Sequence, residues 1–169
     1  MKHPVPAIVI YVLLAGVAVS ASAQNLAITN VRIIAANGVV IEQGSIVVRD
    51  GRIVSVEPGM STVEDIDTLD AGGMTAMPGF IDAHRHINTG PDEKEQMQAL
   101  LEAGYTTILS GGGPADGNII LRDHIESGLI NGPRIIPSGR VSLANTPEQA
   151  RAEVRAMAEL GIRFTGEIA

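Results

Sequence analysis

The sequence predicts an α/β protein in which a small antiparallel sheet is followed by alternating strands and helices. Apolar residues alternate with a period of two from residue 26 to residue 56, which is typical of half-buried strands. From residue 74 onward, strand-like and helix-like segments alternate, which is typical of a parallel sheet covered by helices. Because 45% of its 169 residues are hydrophobic, the chain has enough apolar side chains for a buried core.

The composition excludes several classes of function. Acidic residues (19) outnumber basic ones (12), and the net charge of -7 argues against binding to nucleic acid, which requires a basic surface. The absence of cysteine excludes disulfides, thiolate metal sites and cysteine nucleophiles. Aromatic residues make up only 2% of the chain, so base-stacking platforms and aromatic ligand cages are not expected.

Residues 1–23 have the features of a secretory signal peptide. Lys2 supplies the positive charge, the segment Ala7–Val19 is uncharged and apolar, and Ala21–Ala23 forms a small-x-small cleavage site. The alternative is an uncleaved membrane anchor, but the apolar run is shorter than the ~20 residues needed to cross a bilayer. We therefore expect cleavage before Gln24, export to the periplasm or the extracellular space, and no stable membrane insertion afterwards.

Residues 24–73 are predicted to form the antiparallel module. Asp50-Gly51 lies between two strand-like segments, 45–49 and 52–56. This dipeptide is a strong hairpin signal, because both central residues of such a turn take positive φ. Residues 63–69 are expected to add an edge strand.

The remaining residues, 74–169, are predicted to contain four strands with helices between them. The predicted strands and helices alternate in the order 74–83, 92–103, 106–109, 118–128, 134–137, 147–160 (with Thr146 as its N-cap) and 162–168. Connections of this kind imply parallel strands. The periodicity is compatible with an open doubly wound sheet and with half of an eight-stranded barrel.

Candidate chemistry is concentrated in Asp82-Ala83-His84-Arg85-His86, at the C-terminal end of the first predicted parallel strand. His84 and His86 are two residues apart on a strand, so both imidazoles project from the same face and together suit a divalent metal such as zinc. Asp82 lies on that face as well and is expected to orient a ligating ring. The alternative is a pair of surface histidines. We favour the metal site because α/β folds build their sites at strand C-termini.

The segment Met77–His86 resembles the first-strand signature of the amidohydrolase superfamily, P-G-F/L-I-D-x-H-x-H. The hairpin Ser45–Val56 resembles the small β-sandwich of that family, and Gly132–Gly139 resembles its third-strand region. The resemblance extends over residues 26–169. It implies that the chain is the N-terminal part of an eight-stranded (β/α) barrel preceded by a small antiparallel β-sandwich.

The resemblance also implies a metal site at the C-terminal mouth of the barrel, with one or two divalent ions and zinc as the expected metal. In the family, the two histidines bind the more buried ion, and the fourth strand supplies a bridging ligand, usually a carbamylated lysine. This chain has no lysine there, and Glu167 occupies the matching position, as in enamidase-like members. The expected ligands are therefore His84, His86 and Glu167, with Glu167 as the bridge between two ions. The alternative for Glu167 is an exposed side chain at the end of the chain.

The implied function is that of an exported hydrolase that cleaves an amide, lactam or related C–N bond of a small molecule through a metal-activated hydroxide. The family's catalytic aspartate comes from the eighth strand, so the general base is expected beyond Ala169. We expect the chain to be a fragment or truncated product that ends after the fourth barrel strand, is inactive alone and is prone to oligomerise. Two alternatives stay open: a non-catalytic metal-binding or structural remnant of this fold, and an open α/β ligand-binding domain without metal.

Other polar residues are interpreted more simply. His124 is expected on the outer face of a helix, and Arg85 on the strand face opposite the two histidines. The segment Gly111–Gly113 lacks the following lysine of a phosphate-binding loop, so we expect a flexible loop near the substrate. Ser110 and Ser142 have no sequence context for a nucleophile.

Overall fold

The structure is a computed structural model that describes residues 25–61, 63–87, 89–142 and 146–168. The predicted signal peptide lies outside these residues. Within the described ranges, no helix is both long and apolar enough to cross a membrane. The chain divides into two compact units, with the division between Ala76 and Met77. We refer to them as the N-terminal unit and the C-terminal unit.

The N-terminal unit is a five-stranded sheet in the order β3-β2-β1-β4, with β5 paired to β1. Its strands are β1 (Leu26–Ile34), β2 (Val40–Arg49), β3 (Arg52–Pro58), β4 (Asp67–Asp70) and β5 (Thr75–Ala76). The predicted hairpin is confirmed, because Asp50 and Gly51 join β2 to β3 with φ angles of 51° and 70°. One face of β1 contributes Val31 and Ile33 to the small core of this unit.

The sheet of the N-terminal unit is mixed, so the prediction of a purely antiparallel sheet was wrong. β1, β2 and β3 are antiparallel, but β4 and β5 run parallel to β1. The reason is topological: after β3, the chain returns to the far edge of β1 and pairs there in the same direction. In the described part of this unit the strands form one sheet, and a sandwich remains a prediction.

The segment 74–83, expected to be one strand, is divided between the two units. Thr75–Ala76 pairs with β1, and the first strand of the C-terminal unit begins only at Phe80. Pro78 explains the break, because proline has no N–H to donate to a neighbouring strand.

The C-terminal unit alternates strands and helices, as the sequence predicts. Its elements are β6 (Phe80–Arg85), α1 (Glu93–Glu102), β7 (Tyr105–Ser110), α2 (Ala115–Glu126), β8 (Arg134–Ile136), β9 (Gly139–Val141), α3 (Pro147–Glu159) and β10 (Thr165–Ile168). β6, β7 and β8 form one parallel sheet, and β9 and β10 form a parallel pair. The short strand β9 was not predicted. It follows an interruption at Pro137-Ser138, directly after β8.

Two apolar clusters hold the C-terminal unit together. In the larger one, Met97 of α1 and Leu121 of α2 pack with Ile108 of β7 and Ile135 of β8, all of them buried. The smaller cluster lies beneath α3 and includes Met157. Residues on one face of each helix are thus buried against the strands. Polar side chains lie at the C-terminal ends of the strands.

Candidate metal centre

The two histidines lie where the sequence places them, at the C-terminal end of β6. Their rings are 5.4 Å apart between centroids, with an interplanar angle of 61°. Asp82 lies one step deeper, where its Oδ1 accepts a hydrogen bond from the backbone N–H of His84 at 3.1 Å. Its other oxygen is 3.8 Å from a guanidinium nitrogen of Arg85. The contacts of Asp82 thus support the backbone of the H-x-H segment, and its predicted role toward a ring stays a prediction.

Glu167 of β10 completes a cluster with the histidines. Its Oε1 is 2.9 Å from Nε2 of His86. One potential ligand atom from each of His84, His86 and Glu167 lies within 4.8 Å of the others. The structure therefore brings together the three residues that the sequence singles out, although β6 and β10 stand at opposite ends of the C-terminal unit in sequence.

Arg140 is a member of this site that the sequence analysis missed. It lies on β9 and is the register partner of Glu167 on β10. A guanidinium nitrogen of Arg140 donates to Oε2 of Glu167 at 3.0 Å. Only the pairing of β9 with β10 puts these two side chains next to each other. No local signal in the sequence points to this pairing, because it depends on the register of two strands that are far apart along the chain.

Two glycines after β7 make room for the site. A Cβ added to Gly111 would lie 2.9 Å from the ring of His84, and one added to Gly112 would lie 2.7 Å from Oε2 of Glu167. The N–H of Gly111 also donates to the carbonyl of Arg85 at 2.7 Å, which ties this segment to the end of β6. Both glycines are buried, so they line the site as packed backbone, whereas the sequence suggested a flexible loop.

A buried polar network supports the glycine pair. Ser110 and Ser138 are fully buried, and the N–H of Ser138 donates to Oγ of Ser110 at 2.8 Å. The side-chain amide of Asn118 on α2 donates to the carbonyls of Gly112 (3.3 Å) and Ser138 (3.1 Å). Ser110 is thus a structural residue, in agreement with the absence of a nucleophile context around it.

His124 lies apart from this cluster. Its Nδ1 is 3.0 Å from Oε1 of Glu93, which joins α2 to α1. Its side chain is 34% exposed, so the residue is less external than the sequence suggests. Because it is held by this local contact, His124 is a useful control for the two histidines of β6.

The donor set fits a divalent metal ion. Two imidazole nitrogens and a carboxylate oxygen are ligands that zinc and similar ions take in proteins. The two glycines are the second part of the fit, because a Cβ at either one would collide with a donor side chain, the ring of His84 or the carboxylate of Glu167. His84 and His86 are exposed at this end of the unit, so the donor atoms can be reached from solvent.

No protein-family model matches the chain, but individual proteins do. The enamidase of Eubacterium barkeri is 35% identical over 82 residues, which cover 44% of this chain and 21% of the enamidase. The crystal structure of a candidate prolidase from Bifidobacterium longum has a TM-score of 0.75 and 32% identity, over 87% of this chain and 41% of that one. A crystal structure of an amidohydrolase has a TM-score of 0.61 and 27% identity, over 70% of this chain and 32% of that one.

These relatives and solved structures all point to the amidohydrolase superfamily. The resemblance drawn from the H-x-H segment is thereby confirmed. The predicted α/β fold is confirmed as well, and it matches part of the barrels of these structures. The chain spans less than half the length of the relatives described above. The names of these relatives, enamidase and prolidase, are those of hydrolases that act on C–N bonds.

Proposed function

We propose that the protein is an exported, metal-dependent amidohydrolase that cleaves an amide, lactam or related C–N bond of a small molecule. In this proposal His84, His86 and Glu167 hold a divalent ion, with zinc favoured by the two imidazoles. The observation that carries the proposal is the convergence of these three donors within 4.8 Å at the ends of β6 and β10. The C–N bond as target is supported by what the enamidase and prolidase names say of those relatives.

The chain's own residues have distinct parts in such a site. When bound, a divalent ion polarises a carbonyl and lowers the pKa of water. Asp82 accepts a hydrogen bond from the backbone N–H of His84. This bond holds the backbone from which the His84 ring projects. Gly111 and Gly112 leave room for the donors, and Arg140 holds one oxygen of Glu167.

Metal content of purified protein tests the proposed ligands. We expect His84→Ala and His86→Ala each to lose most of the bound metal, because each leaves an open coordination position. His124→Ala is the matched control and should retain the parent's metal content, since its imidazole contacts Glu93. Inductively coupled plasma mass spectrometry after dialysis measures the content. Unchanged metal in both β6 variants would refute the site.

A second pair of variants tests the carboxylate. Glu167→Gln keeps the shape of the side chain and removes its charge, so we expect it to weaken metal binding. Glu148→Gln is the control, because Glu148 is an exposed acid on α3 that pairs with Arg151. Glu167→Lys sharpens the test, since carbamylation of the new lysine could restore a carboxylate ligand. If Glu167→Gln binds metal as tightly as the parent, Glu167 is not a ligand.

The reaction and the export need separate experiments. The complete product of the gene, loaded with zinc, should hydrolyse members of a panel of N-acyl amino acids, proline-containing dipeptides and lactams, and chelation should abolish this activity. Metal binding without turnover of any panel member would favour the non-catalytic alternative. For export, N-terminal sequencing of secreted protein should begin at Gln24. Material that begins at Met1 would contradict a cleaved signal peptide.

A further inference from the structure

Both carboxylate oxygens of Glu167 have a fixed neighbour in the structure. Oε1 faces Nε2 of His86 at 2.9 Å. Oε2 accepts from the guanidinium of Arg140 at 3.0 Å and lies so close to Gly112 that an added Cβ would be 2.7 Å away. The two oxygens therefore differ: one is turned toward the histidines, and the other contacts a cation and lies beside the backbone of Gly112.

The position of Arg140 beside Glu167 is set by the backbone. The two residues are register partners on adjacent parallel strands, β9 and β10, so their side chains leave the sheet next to each other. An arginine side chain stays protonated at any pH at which the protein is folded. A permanent positive charge is thus built in beside Oε2.

A carboxylate that bridges two metal ions gives an oxygen to each, and the ions of two-metal sites lie about 3.5–4 Å apart. At Glu167 the second ion would need Oε2, which already pairs with Arg140. It would also lie close to the guanidinium, and two positive charges at such a distance repel each other. The arrangement thus favours a single ion on the side of the histidines.

We propose that Arg140 takes the place of a second cation at Glu167, so that the site holds one divalent ion per chain. This inference rests on the proposed function, because it assumes that His84, His86 and Glu167 bind metal. It makes Arg140 a positioning residue that neutralises one carboxylate oxygen and leaves the other for the ion. It also predicts that charge, and not shape alone, sets the number of ions.

The test is metal stoichiometry in the complete gene product, purified with Mn²⁺ in excess and dialysed. The parent should hold about one ion per chain, and Arg140→Met about two, because Oε2 is then free to bridge. Arg140→Lys keeps the positive charge and should stay at about one. Arg151→Met is the control, since Arg151 pairs with Glu148 on the surface of α3, and it should match the parent. Electron paramagnetic resonance gives a second readout, because only a bridged pair of Mn²⁺ ions shows magnetic coupling.

The outcomes separate this inference from the proposed function. If the parent holds no metal, or holds metal that His84→Ala retains, the proposed function fails, and this inference fails with it. If the parent already holds a coupled pair, the proposed ligands can stand but Arg140 does not replace a cation. If Arg140→Met stays at one ion, or if Arg140→Lys rises with it to two, the charge of Arg140 does not set the number.

Discussion

The two units of the chain differ in how far apart in sequence their decisive contacts lie. In the N-terminal unit, β1 pairs with β2 and β2 with β3, each across a short turn. In the C-terminal unit, parallel strands are separated by whole helices, and the candidate site joins β6, β9 and β10. The comparison teaches that local turns suffice for the three antiparallel strands β1, β2 and β3, whereas the pairing of β4 and β5 with β1 and the candidate site both depend on a long-range arrangement of strands.

The two units also differ in the side chains that they present. The cluster of metal-ligating side chains that the described residues form lies in the C-terminal unit. In the N-terminal unit, β3 instead exposes apolar side chains, with Ile53 66% and Val54 57% exposed. We interpret the N-terminal unit as a scaffold that is stabilised by its hairpins and its small apolar core, and the C-terminal unit as the part that carries the candidate site. The predictions below test this division.

The largest effect is expected in the core of the C-terminal unit. Leu121 on α2 is fully buried among Met97, Ile108 and Ile135. Leu121→Ala should lower the free energy of unfolding by about 2–5 kcal/mol, because it leaves a cavity. Its neighbour Ile120 is 52% exposed, so Ile120→Ala should change the same quantity by only about 0.5 kcal/mol or less. Urea denaturation measures both, and equal effects would show that α2 is not packed as described.

The next effect concerns the site and not the core. Gly112→Ala places a Cβ 2.7 Å from Oε2 of Glu167, so the carboxylate must move. We expect metal affinity to fall about 10–100-fold, the loss typical of disturbing the groups that support metal ligands. Gly90→Ala is the control, because its Cβ would meet nothing within 4 Å. Titration calorimetry with Zn²⁺ decides the matter, and equal affinities for the two variants would remove Gly112 from the site.

Much of the fold could be predicted because the relevant signals are local. The Asp50-Gly51 turn specifies a hairpin by its conformational preference, and the helices follow from apolar residues at helical spacing. His84 and His86 were predicted as a pair because strand alternation alone puts them on one face. The strand direction of β4 and β5 was not predictable in this way, because it depends on the path of the chain after β3.

The missing part of the candidate site could not be predicted for a physical reason. Arg140 contacts Glu167 only because β9 pairs with β10 in a particular register. β9 has three residues, Gly139–Val141, and is too short to show a periodicity. The buried contact of Ser110 with Ser138 also joins distant parts of the chain, the end of β7 and the interruption between β8 and β9. Such pairings are set by tertiary structure, and no single segment of the sequence signals them.

A smaller effect is expected at the start of α3. Thr146 forms a capping box: its hydroxyl accepts from the N–H of Gln149 at 3.3 Å, and the Gln149 side chain accepts from the N–H of Thr146 at 2.8 Å. Thr146→Ala should lower the free energy of unfolding by about 1 kcal/mol. Thr146→Ser keeps the hydroxyl and should restore most of the loss. If alanine and serine behave alike in urea denaturation, the cap does not stabilise the unit.

The smallest effect tests the N-terminal unit through pH. Oδ1 of Asp70 accepts from the N–H of Gly72 at 2.8 Å and from the side-chain amide of Asn30 at 2.9 Å, and these bonds lower the pKa of Asp70 below its ordinary value of 3.8. Because the pKa is lower in the folded state, the ionised carboxylate stabilises the unit above the unfolded pKa, and this contribution is lost as the pH falls through the folded pKa.

Asp70→Asn removes this contribution while it keeps an oxygen that can accept both hydrogen bonds. The variant should therefore be less stable than the parent near neutral pH, and the difference should shrink toward zero as the pH falls below about 4. Asp67→Asn on the same strand corrects for the change in net charge. Urea denaturation of the parent and both variants, from neutral pH to below about 4, measures the difference in the free energy of unfolding. A difference between parent and Asp70→Asn that is the same at every pH would show that the turn is held by shape, and not by the charge of Asp70.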